Sequence, residues 1–153
     1  MNDKHKPLRI ILLILIILTL IVIWGHSCMP RAQSTEESSF VKELLDSMVQ
    51  TVSGNQSFAI PEVVIRKSAH LLEYAFLGLE LAVFFLLNNK GKIRFALPFI
   101  SALVVASIDE TIQYFSGRYS SIFDVALDMV GASIAIGLVF LIRKIFKRKK
   151  SIS

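Results

Sequence analysis

The chain has 153 residues, 54% of them hydrophobic and 19% charged, with a net charge of +5 and a mean hydropathy of +0.61. Soluble domains are nearer 25% charged, and here the charges are clustered at the ends of apolar runs, so the composition is that of a membrane protein with no room for a large soluble domain. No basic stripe is interleaved with aromatics, which argues against a nucleic-acid binder, and the single cysteine, Cys28, excludes an intrachain disulfide and a CxxC metal site.

A bilayer-spanning helix needs about 20 apolar residues. The first such run extends from Leu8 to Trp24 behind Lys4, His5, Lys6 and Arg9. A basic stretch before an apolar core also describes a signal peptide, but this core exceeds the usual length of about 7–15 residues and no small-x-small cleavage site follows. Gly25-His26-Ser27 does not make Cys28 a lipoprotein cysteine, and the run is read as an uncleaved span. Residues 26–67 form a long polar loop. Within it Phe40, Val41, Leu44, Leu45, Met48, Val49 and Val52 recur at helical spacing, which predicts an amphipathic helix. Ser34 and Glu37 precede it at capping-box spacing. Its apolar face suits the bilayer or the bundle, and a partner-binding helix is the sharper alternative.

The second run covers about 68–87 and ends in the turn Asn88-Asn89-Lys90-Gly91-Lys92. The third covers about 95–115, with Pro98 in its first turn, where proline is tolerated. Ser116-Gly117-Arg118 makes a tight connection to the fourth, about 122–142, and a basic tail of 143–153 follows. The predicted fold class is therefore all-α: a transmembrane domain over 8–142 with four membrane helices. The N-terminus, the 88–94 turn and the tail together hold twelve of the 17 Lys and Arg. By the positive-inside rule that side is cytoplasmic, so both termini face inward. The 26–67 loop with its amphipathic helix is then extracytoplasmic. The cationic tail suits anionic headgroups.

The chemistry lies where charge interrupts the apolar runs. The second run opens with Lys67, His70, Glu73 and Tyr74; the third closes with Asp109, Glu110 and Gln113; the fourth opens with Asp124 and Asp128. Buried ionisable groups cost several kcal/mol in a bilayer, about 2.5–3.5 at a helix centre, and so face the bundle interior or a wet cavity. The predicted topology puts all three groups in the outer half of the membrane, which implies one shared polar pocket. Lys67, His70 and Tyr74 share a helix face, as do Asp124 and Asp128. Five carboxylates there face only Lys67, Arg118 and at most a charged His70, so the pocket must hold protons, admit water or bind a cation. Simpler roles also fit: Lys67 and Arg118 as headgroup anchors, His70 and Glu73 as an interhelical hydrogen bond, Asp124 as a helix cap. Gly131, Ala132, Ser133, Ala135 and Gly137 fit close helix packing. Glu80 lies seven residues beyond Glu73, nearer mid-bilayer, and is expected to be protonated or hydrogen-bonded inward.

The pattern Lys67-x-x-His70-x-x-Glu73-Tyr74, Asp109-Glu110-x-x-Gln113, Gly117-Arg118 and Asp124-x-x-x-Asp128-x-x-Gly131 resembles the VanZ-like family over about residues 10–142. Ser27-Cys28-Met29-Pro30 is a loose version of the polar stretch that follows the family's first span, and Glu80 has no counterpart in the pattern. The resemblance implies a multi-pass protein of the bacterial plasma membrane. The family's namesake raises resistance to the glycopeptide teicoplanin without altering the peptidoglycan precursor terminus, and the resemblance supplies no reaction.

Three functions fit these residues. The first is a binding protein whose outward pocket takes an amphiphile: membrane lipid, lipid-linked cell-wall precursor or lipoglycopeptide. Its ligand-binding residues would be Lys67, Tyr74, Gln113, Arg118, Asp124 and Asp128. The second is an intramembrane hydrolase or transferase on a lipid-linked substrate, with His70, Glu73, Asp109 and Glu110 as catalytic groups and a divalent cation on Asp109, Asp124 and Asp128. The third is a transporter, which the confinement of the polar groups to one half of the bilayer and the lack of an inverted repeat disfavour.

Overall fold

A computed structural model describes residues 5–29, 31–53, 59–117 and 121–152, and the side chains of all of these but 31–38, 52–53 and 149–152. Five helices follow in order: α1 (Lys6–Cys28), α2 (Arg31–Ser53), α3 (Glu62–Asn88), α4 (Ile93–Phe115) and α5 (Ile122–Ile152). Four stretches are long and apolar enough to cross a membrane: Lys6–Cys28, Glu62–Asn88, Ile93–Phe115 and Ile122–Arg148.

The helices outrun the apolar stretches that announce them, because a helical backbone satisfies its own hydrogen bonds whatever its side chains carry. α1 continues through Gly25, His26 and Ser27 and stops only at Met29, whose ψ of 135° is the extended conformation demanded by the following Pro30. α3 starts directly after Pro61, so Arg66 and Lys67 stand inside it and not in the loop. α2 begins at Arg31, before Ser34, so the capping-box reading gives way to an earlier start; the side chains of Ser34 and Glu37 lie outside the described ones. Pro98 falls inside α4, beyond its first turn, and has no N–H to give the carbonyl four residues back. α5 carries its helix through the basic tail, where cations suit the negative end of the helix dipole. Gly91 and Gly117, both at φ 71°, supply the left-handed residues of the α3–α4 and α4–α5 turns.

α3 is the central helix and packs on α1, α4 and α5. Its buried face of Tyr74, Leu77, Gly78, Leu81 and Ala82 meets Ala102 and Ala106 of α4, Ala132 and Ile136 of α5, and Ile16 and Ile23 of α1. Small residues bring backbones together, as in membrane helix pairs generally. A Cβ on Gly131 would lie 2.3 Å from the Leu71 carbonyl oxygen, and one on Gly78 would lie 2.6 Å from that of Ala132. The periphery is apolar: Ile10, Ile14, Ile17 and Ile21 of α1, Ile100 and Val104 of α4, and Ile134 and Leu138 of α5 are all exposed. That inside-out distribution suits lipid, not water. α2 leans on α3 and keeps Phe40, Leu44 and Met48 exposed.

Candidate functional site

The alternating directions of the helices bring four ends together: the C-terminal ends of α1 and α4 and the N-terminal ends of α3 and α5. The polar residues are concentrated at that end. Asp109 lies six residues before the end of α4 and Asp128 six residues into α5, so both sit about 9 Å below the helix ends at a rise of about 1.5 Å per residue. Both are buried, at 0% and 2% exposure, as are Ser27, Tyr74, Glu110 and Gln113.

Asp109 accepts two hydrogen bonds. The Ser27 hydroxyl donates to its Oδ1, and Gln113 donates through Nε2 to its Oδ2 at 3.1 Å and to Ser27 Oγ at 3.4 Å. Gln113 reaches Asp109 because the two are four apart on one helix face. Asp109 is thereby oriented from two helices. Asp128 accepts no hydrogen bond from the described residues. Glu110 faces the α4–α5 connection and accepts the Ser121 backbone N–H at 2.9 Å. Ser121 in turn caps α5, its Oγ accepting the Phe123 N–H at 3.2 Å. Ser121, not Asp124, is thus the cap.

The rim is more open. Lys67 pairs with Asp124 at 2.7 Å and ties α3 to α5; the two side chains are 46% and 26% exposed. The His26 ring meets Glu73 at 2.9 Å from Nδ1 and ties α1 to α3. The interhelical bond expected at Glu73 therefore exists, but His26 makes it. The His70 Nδ1 stands 4.0 Å from Glu73 and 3.9 Å from Asp109, beyond direct hydrogen bonding. His70, Asp109 and Asp128 each offer a ligand atom, all within 4.8 Å of one another. Tyr74, four residues from His70 on the same helix, has a fully buried side chain and a hydroxyl without a hydrogen-bond partner among the described residues.

The structure brings His70, Glu73, Tyr74, Asp109, Gln113 and Asp128 into one neighbourhood, with Lys67 and Asp124 at its edge. Arg118 lies outside the described residues. Of the three aspartates read as cation ligands, Asp124 turns to Lys67, and His70 takes its place beside Asp109 and Asp128. His26 and Ser27 escaped sequence reasoning. They follow the apolar run, were counted with the loop, and offer only the absence of a helix breaker before Pro30 as a signal. Glu80 lies outside the site, 1% exposed, and accepts the Thr19 hydroxyl at 3.2 Å, which is the inward hydrogen bond expected of it.

At the opposite end Arg9 donates to the Leu87 carbonyl at 2.9 Å, which places the α1 start against the α3–α4 turn. The polar cluster and the main concentration of basic residues therefore occupy opposite ends of the bundle.

A family model described as VanZ/LLP1 matches residues 11–143, a stretch that takes in the greater part of all four apolar helices and every residue of the polar cluster. No curated protein and no solved structure matches the chain.

Proposed function

This chain belongs to the VanZ/LLP1 family, and on that footing we propose that it is a plasma-membrane protein of the bacterial envelope whose polar end faces outward and binds the head of an amphiphile. The observation that carries the reading is the concentration of charge at one end of an otherwise apolar bundle, with exposed Lys67 and His26 and half-buried Glu73 at the rim over buried Asp109 and Asp128. Charge of this kind is costly in lipid and is kept where it does work. The rim sits at headgroup level while the exposed apolar flanks of the helices meet the tails. A lipid, a lipid-linked cell-wall precursor or a lipoglycopeptide such as teicoplanin has that division of head and tail.

The outward orientation follows from the basic residues at the far end and has a direct test. Cys28, the single cysteine of the chain, is exposed at the polar end. A membrane-impermeant maleimide added to intact cells labels it if that end faces outward, and labels it only after permeabilisation if the orientation is reversed. Binding is tested by mass spectrometry of lipids retained on gently purified protein, beside teicoplanin susceptibility of a host expressing it. Lys67→Ala combined with Arg118→Ala is expected to lose the retained lipid and any change in susceptibility. If both persist, the pocket is not the binding site.

A second reading, a hydrolase or transferase on a lipid-linked substrate, draws on His70, whose ring stands close to two carboxylates, as an imidazole that moves protons in general acid–base catalysis does. It requires turnover of a lipid-phosphate substrate that His70→Ala abolishes.

A further inference from the structure

We infer that His70, Asp109 and Asp128 form a site for one divalent transition-metal ion, of the zinc or manganese class, with the Tyr74 hydroxyl directed at it. The inference deepens the proposed headgroup site but stands on the geometry of the three side chains.

Asp109 and Asp128 are buried to within 2% inside an apolar bundle. At the rim Lys67 pairs with Asp124 and the His26 ring with Glu73. A buried carboxylate persists where it is hydrogen-bonded, protonated or bound to a metal. Ser27 and Gln113 supply hydrogen bonds to Asp109, whereas no described residue supplies one to Asp128, which leaves a proton or a metal ion to neutralise it.

The His70 Nδ1 to Asp109 Oδ2 separation of 3.9 Å is too long for a hydrogen bond. Ligand bonds of about 2.0–2.2 Å in a tetrahedron put neighbouring donors about 3.4 Å apart. The donors observed within 4.8 Å of one another therefore close on an ion through side-chain shifts of roughly 1 Å, with no helix displaced.

The Tyr74 side chain has no exposure, and its hydroxyl has no hydrogen-bond partner among the described residues, although buried tyrosine hydroxyls ordinarily find one. Tyr74 lies four residues beyond His70, on the same face of α3, and so at the same end of the bundle as the two carboxylates. A water or headgroup oxygen on the ion would accept its proton.

One imidazole nitrogen with two carboxylates is a mixed donor set. Magnesium and calcium prefer oxygen alone, whereas zinc and manganese accept it. Three protein ligands leave an open position, as in sites that bind a further ligand. The ion also removes an obstacle to the proposed function, because a phosphate or carboxylate headgroup would otherwise approach an excess of negative charge.

The test uses full-length protein in lipid nanodiscs, stripped with a chelator and titrated with Zn2+, Mn2+ and Mg2+ by calorimetry, with elemental analysis of the loaded protein. Wild type is expected to take one Zn2+ or Mn2+ per chain, with Mg2+ at least about 100-fold weaker. His70→Ala and Asp128→Asn should each weaken the preferred ion about 100-fold, and Tyr74→Phe about tenfold or less. Glu80→Gln, outside the site, should leave it unchanged. Thermal melts with and without Zn2+ guard against a misfolded variant: metal raises the wild-type melting temperature and not that of a folded His70→Ala. No stoichiometric binding, or binding indifferent to both His70→Ala and Asp128→Asn, overturns the site. Retained lipid is measured in the same samples. Metal without lipid leaves the ion site standing and sinks the amphiphile reading, while lipid without metal does the reverse.

Discussion

The contact between α3 and α5 determines whether His70 and Asp128 face each other, and it rests on two glycines. A methyl group at Gly131 would stand 2.3 Å from the Leu71 oxygen, against about 3.3 Å or more for a relaxed carbon–oxygen contact. The obstacle is backbone on a helix, so no side chain can swing aside, and the helices must part by roughly 1 Å. Overpacking of this kind costs about 1–3 kcal/mol, offset by up to about 1 kcal/mol because alanine favours a helix over glycine. The expected net loss for Gly131→Ala is about 1–2 kcal/mol. At about 2–4 °C per kcal/mol for a chain of this size, the melting temperature falls by roughly 2–8 °C. Gly137 lies on the same helix with nothing within 4 Å of a Cβ, so Gly137→Ala is the control and should be neutral or slightly stabilising. The assay is thermal unfolding of purified protein, followed by loss of monodispersity. Gly131 is one turn beyond Asp128, and Leu71 adjoins His70, so the parted helices should also weaken metal binding. If Gly131→Ala melts with Gly137→Ala, the close α3–α5 approach is wrong, and the arrangement of the site falls with it.

Other outcomes follow from the same contacts. Ser27→Ala removes a donor from buried Asp109 and should cost about 1–3 kcal/mol, read in the same melts, while His26→Ala at the exposed rim should cost under about 1 kcal/mol. Glu80→Gln keeps an acceptor for the Thr19 hydroxyl and should melt like wild type, whereas Glu80→Leu strands that hydroxyl and should melt lower. Asp46 accepts the Ile60 backbone N–H at 2.8 Å and pairs with Lys42. These two contacts, the backbone bond first, hold its pKa below the ordinary 3.8. A depressed carboxylate pKa contributes stability above the unfolded value that is lost as pH falls through the folded one. Hydrogen exchange should therefore show the Ile60 amide protected at neutral pH and losing protection only below the usual carboxylate range. Asp46→Ala should remove that protection at every pH.

The sequence by itself determined the number of membrane helices, because an apolar run of sufficient length has few alternatives to a helix in which every backbone group is satisfied internally. It also marked the polar residues, since charge at the edge of such a run stands out against its surroundings, and the order of the runs placed those residues at one end. Partnership was decided only by the tertiary structure. Which carboxylate meets Lys67, whether Glu73 bonds His70 or His26, and which side chains converge with Asp109 all depend on helix rotation and on separations of a few ångströms. Those are set by Gly78 and Gly131 beneath Ala132 and Leu71. His26 and Ser27 show the limit most clearly. Nothing in their own stretch of chain distinguishes them from a loop, and their role appears only when α1 lies against α3 and α4.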